Sequence, residues 1–180
     1  MTMAHSCKKT STQTVLRRAH DFYPTPMSIV DLLLDALDWP ELATAWEPCA
    51  GDGRLVEALQ RRGVHVVAGD VQAGQDFFEI DVAPADTLIT NPPFKVIRQF
   101  IDHAFASGVQ RMALVTPERL WACGKGSQQW DRHRPSRFAN MNWREDYLGK
   151  GGSPDRALAV AIWDAPPDDA CSYEIWQRPA

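Results

Sequence analysis

The residues best equipped for chemistry stand together at Asn91-Pro92-Pro93-Phe94. The Asn91 side-chain oxygen and the Pro92 carbonyl are two hydrogen-bond acceptors on adjacent residues. The prolines carry no N–H and have fixed φ, so the turn is rigid and its acceptors are preorganised. Phe94 adds a flat apolar face. This set suits an amino group on an aromatic ring, such as a base extracted from its helix. The lone pair of that amine is conjugated into the ring. Acceptors that grip both N–H bonds pull the nitrogen toward tetrahedral geometry and free the lone pair. Asn-Pro-Pro is a turn in any context, but here it closes a strand-like run about 40 residues after a glycine loop.

That loop is Glu47-Pro48-Cys49-Ala50-Gly51-Asp52-Gly53, placed after a short strand and before a helix. Its glycines let the backbone turn tightly and approach a ligand closely. Asp70 lies 19 residues after Gly51, at the end of the next strand, where a carboxylate can accept from both hydroxyls of a ribose. The loop is not GxGxxG, and Glu47 and Asp52 oppose a pyrophosphate, which needs neutral or positive surroundings. That argues against a nicotinamide oxidoreductase, and no GxxxxGK[ST] run is present for a P-loop. A nucleoside with a cationic or zwitterionic tail fits better.

Glu-Pro-x-x-Gly-x-Gly resembles motif I of the class I S-adenosylmethionine-dependent methyltransferases, and Phe22-Tyr23-Pro24-Thr25-Pro26 resembles their upstream motif X. The resemblance implies a Rossmann-like fold: a mostly parallel sheet, helices on both faces and an antiparallel last strand. It implies S-adenosyl-L-methionine as cofactor, leaving as S-adenosyl-L-homocysteine. Glu47, Gly51 and Gly53, with Pro48, Cys49 and Ala50, would line its methionine part. Thr25 would stand near the carboxylate, in the segment with Phe22, Tyr23 and Pro24. Asp70 would hold the ribose, Asp81 would lie near the adenine amino group, and Asn91 would border both cofactor and acceptor. Within the family, N/D-P-P-F/Y/W marks transfer to an amino or amide nitrogen, and Phe in fourth place is similar to the adenine N(6) enzymes. Asn91, Pro92, Pro93 and Phe94 are then the catalytic set for a direct displacement needing neither metal nor strong base.

The motif order resembles compact phage and prophage DNA adenine methyltransferases, with Ala161-Ile162-Trp163-Asp164 similar to their late strand. The expectation is a single catalytic domain over 21–180, without a separate target-recognition domain and with short or loose sequence preference. DNA is the expected partner. An RNA adenine or a protein glutamine amide would suit the same chemistry. A non-catalytic cofactor-binding subunit is the alternative from another class, disfavoured by the intact Asn91, Pro92 and Phe94.

A mobile basic tail is expected over 1–20, with Lys8, Lys9, Arg17 and Arg18. Segment 118–137 carries Arg119, Lys125, Arg132, Arg134 and Arg137 against Glu118 and Asp131, with Trp121, Gln128, Gln129 and Trp130 interleaved. These cations are candidate nucleic-acid contacts, since Arg and Lys grip phosphates while aromatic and amide groups meet bases. The net charge is −4, from 19 basic and 23 acidic residues. Residues 1–20 carry +4 and 118–137 carry +3, leaving −11 on the remainder.

The elements that must position these groups alternate. A helix carries the apolar stripe Ile29, Val30, Leu33, Leu34 and Leu37, capped by Ser28. A strand over 44–47, a helix over 54–62 and a buried strand over 64–68 follow. Further on come a strand over 86–90, a helix over 96–105, a strand over 111–116, a long loop over 122–137 and a final strand over 157–163. A strand over 138–143 is a further candidate. Such alternation builds a parallel sheet with its carboxyl ends on one edge, where open sheets bind ligands. No apolar run reaches the ~20 residues of a membrane helix, and 1–14 lack the apolar core of a secretory signal. Four dispersed cysteines and five dispersed histidines show no metal-ligand spacing. A cytoplasmic site, in a bacterium or a phage-infected host, is expected.

Overall fold

The structure is a computed structural model, described over residues 24–145, 156–164 and 170–179. Phe22, Tyr23 and the basic residues of 1–20 lie outside these.

The chain order is α1 (Met27–Ala36), β1 (Thr44–Glu47), α2 (Arg54–Arg61), β2 (His65–Ala68), β3 (Thr87–Thr90), α3 (Ile97–Ala106), β4 (Arg111–Pro117), α4 (Gly124–Arg132), β5 (Arg137–Glu145), β6 (Arg156–Trp163) and β7 (Ser172–Trp176). Two 3-10 turns, Val71–Ala73 and Phe77–Glu79, lie between β2 and β3. The seven strands form one sheet in the order β2-β1-β3-β4-β6-β5-β7. β1 pairs in parallel with β2 and β3, and β3 with β4. β6 runs antiparallel to β4 and β5, while β7 is parallel to β5.

Strand alternation splits the core in two. Ala45, Ile89, Ala113, Val115, Val160 and Ile162 face α1 and α2. Trp46, Leu88, Met112, Leu114, Ala159 and Ala161 face α3. Every one of these strand residues is buried, so the central strands are apolar on both sides, as helices on both faces require.

Four expectations are corrected. Ser28 does not cap α1: the cap position is Pro26, whose carbonyl accepts from the Ile29 and Val30 N–H groups. The chain turns helical as soon as the proline segment ends. The 64–68 strand is buried only at Val64; β2 is an edge strand with His65 and Ala68 exposed. β-branched runs mark strand pairing but not depth in the sheet. The strand over 157–163 is the antiparallel one, yet it is not the last, because β7 follows. Finally, 122–137 is not a long loop, since it contains α4.

Helix α4 has little propensity in its sequence, Gly-Lys-Gly-Ser-Gln-Gln-Trp-Asp-Arg, and tertiary contacts supply the difference. Gln129, 1% exposed, donates from Nε2 to the Arg98 carbonyl (2.7 Å) and to Asp102 Oδ1 (3.0 Å), fastening α4 onto α3. Gly126 lets α4 abut the preceding turn: a Cβ there would stand 2.6 Å from the Leu120 carbonyl oxygen and 2.9 Å from Trp121 backbone atoms. Gly124 has open space around its Cβ position. Gly→Ala in a helix ordinarily stabilises by about 1 kcal/mol. Gly126→Ala is expected to do the reverse, costing about 1–3 kcal/mol through overpacking. Gly124→Ala is expected to be neutral or stabilising, with urea midpoints checking both.

Candidate functional site

The parallel strands deliver Glu47, Asp70 and Asn91 to one edge of the sheet, around a cavity of about 370 Å³. Glu47 is the last residue of β1 and is 1% exposed. Its Oε1 accepts from the Cys49 N–H (2.9 Å) and from the Thr90 hydroxyl, the residue just before Asn91. Burial pushes its pKa up to about 8; the two hydrogen bonds oppose this and the nearby Asp70 charge adds to it. Burial, and then the Glu47 charge, also hold the Cys49 thiol well above its ordinary range. Cys49 is therefore a neutral wall of the cavity and is unsuited to nucleophilic attack.

The glycine loop is stitched to the end of β2. The Gly69 N–H donates to the Glu47 carbonyl (2.8 Å) and the Ala50 N–H to the Gly69 carbonyl (2.9 Å). Gly51 and Gly53 have φ of 54° and 83°, left-handed values that favour glycine. Asp70 accepts from the Gly51 N–H (2.9 Å) and the Gln72 N–H (2.8 Å). Its carboxylate thus shapes the loop and the next turn while keeping acceptor capacity.

Pro24 and Thr25 complete the wall. Arg54, opening α2, holds them: its Nη1 donates to the Thr25 carbonyl (3.1 Å), and its guanidinium pairs with Asp52 at 2.6 Å. Arg54 was not legible as a site residue, because an Arg after a Gly-x-Gly loop reads as a solvated helix start. Asn91, Pro92, Pro93 and Phe94 follow β3 into the same cavity. Asn91 Oδ1 is shielded from solvent, and the Pro93 carbonyl accepts from the Val96 N–H (3.1 Å), turning the chain into α3.

Asp81 does not reach the cavity; it is exposed beyond it. Asp76, Phe77 and Phe78 stand there instead. Asp76 accepts from the Phe78 N–H (3.0 Å) and so caps the second 3-10 turn. That turn sinks Phe77 onto Phe100, with ring centroids 3.9 Å apart, and leaves Phe78 40% exposed beside the opening. The signal was the Asp-x-Phe spacing of a capped turn, in a stretch without strand pattern.

Of the five expected cation contacts, three converge. Arg119, Lys125 and Arg132 line a neighbouring hollow with Lys95, Arg98 and Gln128, adjoining Phe94. Arg134 and Arg137 do not join them. Arg137 opens β5 at the opposite edge of the sheet, where it donates to the Ala36 carbonyl (2.8 Å) at the end of α1. The Arg134 charge bears on Cys171, ahead of β7. Trp121 and Trp130 pack edge-to-face on each other, and Trp121 continues onto Phe138 and Trp163. They fasten α4 to the core. Among the described residues no group of three or more His, Cys, Asp or Glu could hold a metal ion, and no helix is long and apolar enough to cross a membrane.

Comparison of the sequence with protein-family models and with curated proteins gives no match. Solved structures do match in fold. A protein from Vibrio vulnificus YJ016, described as a modification subunit of a type I restriction enzyme, superposes with TM-score 0.60 at 14% identity over 87% of this chain and 47% of its own. A protein from Listeria monocytogenes, described as a class I S-adenosylmethionine-dependent methyltransferase, gives 0.58 at 13% identity over 87% of this chain and 66% of its own. The type I restriction-modification methyltransferase subunit from Streptococcus thermophilus gives 0.55 at 14% identity over 78% of this chain and 44% of its own. The chain has the class I methyltransferase fold, and it spans less than two thirds of each of these structures.

Glu47 sets a testable pH dependence. Its folded pKa, about 8, lies above its ordinary 4.5, so the folded chain binds that proton more tightly than the unfolded one. Stability is full below the lower value, falls as pH rises between the two, and is flat above the upper. The fall is about 1.4 kcal/mol per pH unit at most. Urea denaturation from pH 5.5 to 8 checks it, and Glu47→Gln is expected to remove the slope.

Proposed function

We propose that the chain is an S-adenosylmethionine-dependent N-methyltransferase acting on the exocyclic amino group of adenine in DNA. The observation that carries the reading is the junction of Glu47, Thr90 and Asn91, which puts the rigid acceptor turn against the wall of the glycine-loop cavity.

The residues present fit this cofactor. The cavity, about 370 Å³, lies in the range of small-molecule sites. A buried acid at one end suits a cationic tail, and Arg54 beside Thr25 suits a carboxylate. Asp70 offers acceptors to ribose hydroxyls. Phe77, Phe78 and Val71 offer apolar surface to a purine, with Asp76 beside them. Bound there, the cofactor supplies a methyl group on a good leaving group. The protein supplies position. Asn91 Oδ1 and the Pro92 carbonyl accept hydrogen bonds from the two amino N–H groups, localise the nitrogen lone pair and stabilise the charge that grows on nitrogen, until one N–H proton leaves to water and the neutral methylated amine remains. Phe94 stacks on the base and limits its tilt. Pro92 and Pro93 keep the acceptors from relaxing away.

The test uses purified protein, labelled cofactor and duplex DNA, with nucleoside analysis of the product; N(6)-methyladenine is the expected result. Methyl transfer only to RNA or to a protein amide would overturn the acceptor, and cofactor binding without transfer to any acceptor would overturn the activity. Asn91→Ala is expected to keep cofactor affinity by calorimetry and lower kcat by about 100-fold or more. Cofactor affinity is expected to rise with pH up to about 8, by at most tenfold per unit, because a cationic ligand favours ionised Glu47. Glu47→Gln should bind more weakly and without that pH dependence.

A further inference from the structure

Beside the cavity, and sharing Phe94 and Lys95 with it, lies a second hollow of about 580 Å³. Its walls are the start of α3, the turn after β4 and helix α4. They bring Lys95, Arg98, Arg119, Lys125 and Arg132 around a single carboxylate, Asp102. Asp102 is already engaged by Gln129 (3.0 Å), Arg132 (3.4 Å) and His133 (3.3 Å). Among the described residues no ion pair engages Lys95, Arg119 or Lys125. All three are exposed, so none is spent on the fold. Arg98 donates from Nη2 to the Leu120 carbonyl, yet its Nη1 is buried without an acceptor among the described residues. A buried donor left unpaired is costly, and an acceptor oxygen arriving from a ligand would relieve it.

We propose that this hollow binds the sugar-phosphate backbone of the substrate strand next to the nucleotide whose base stacks on Phe94. The inference rests on the reading of a nucleic acid as substrate. Its chemistry is that of a phosphodiester: anionic oxygens meeting several unpaired cations and one unsatisfied guanidinium N–H. Gln129, whose amide ties α4 to the Arg98 carbonyl, fixes the cations of α4 relative to Lys95 and Arg98 at the start of α3. The hollow therefore places the strand at a set distance from Asn91, and Phe94 and Lys95 stand at the passage between the two compartments. Sequence preference gains nothing from such contacts, which act on every nucleotide alike.

The test measures binding of a fluorescein-labelled duplex DNA of 14 base pairs, by anisotropy over a range of salt. The triple variant Lys95→Ala, Arg119→Ala, Lys125→Ala is expected to lose at least tenfold in affinity. Its slope of log affinity against log salt should fall by about 2–3, at roughly one unit per lost phosphate contact. Melting temperature should hold, and cofactor affinity should hold in the double variant Arg119→Ala, Lys125→Ala, which leaves the cavity wall intact. A charge-matched control, Arg61→Ala, Arg111→Ala, Arg178→Ala, removes three cations elsewhere and is expected to keep both affinity and slope. Equal losses in the two triple variants would overturn the proposal, since net charge and no particular site would then govern binding. Wild-type binding untouched by the first variant would overturn it as well. DNA binding that depends on the hollow, without methyl transfer, would sustain this inference and overturn the proposed activity. Methyl transfer to DNA with KM unmoved in the first variant would do the opposite.

Discussion

The structure turns on a buried carboxyl group. Glu47 ends β1, and β1 lies beside β3 in parallel, so its side chain meets Thr90 where β3 gives way to Asn91. A carboxyl group taken out of water must find donors, and it finds them in the Cys49 N–H and the Thr90 hydroxyl. Each bond joins a different part of the site. The first sets the start of the glycine loop, and the second ties that loop to the Asn-Pro-Pro-Phe turn. Asp70 continues the same logic from β2, holding the Gly51 N–H and the first residues of the following turn. Three adjacent strand ends are thereby locked together by two carboxyl groups that accept from backbone N–H groups and from one hydroxyl, and the cavity is the space they enclose.

Charge is divided along the same lines. The cavity gathers the acids Glu47, Asp52, Asp70 and Asp76 with Arg54 and the shared Lys95 as their counterweight, whereas the neighbouring hollow gathers cations around one engaged aspartate. A net charge of −4 hides this division. The two compartments meet at Phe94, a half-buried ring that belongs to both. An acidic cavity and a basic hollow thus share one aromatic wall and one lysine.

Much of the cavity's lining was legible in the sequence because its parts are local. Gly51 and Gly53 take left-handed backbone within one loop, and the Asn91–Phe94 turn needs only its own prolines. Asp70 was legible from its distance to the loop, since strand and helix lengths in such units vary little. Asp81 was misplaced because a side chain capping its own turn, as Asp76 does, leaves no periodic pattern. Arg137 was misplaced because its segment runs from the cavity edge of the sheet, through α4, to the opposite edge. Nearness in sequence to Arg119 and Lys125 therefore says nothing of nearness in space. Helix α4 was read as loop for a related reason. Its own residues favour a helix weakly, and what holds it is Gln129 on α3, the tryptophans against the core and a glycine that permits close approach.

The sequence by itself determined the alternation of strands and helices, the rigid acceptor turn and the glycine loop. Each depends on hydrophobic period or backbone restriction over a few residues. Only the tertiary structure decided that β2 lies at the sheet edge, that β7 extends the sheet beyond β5, that Glu47 is buried and bonded to Thr90, and which cations share a hollow. Those outcomes depend on which distant segments meet. Burial and pairing are properties of the assembled neighbours, so no single stretch of chain encodes them.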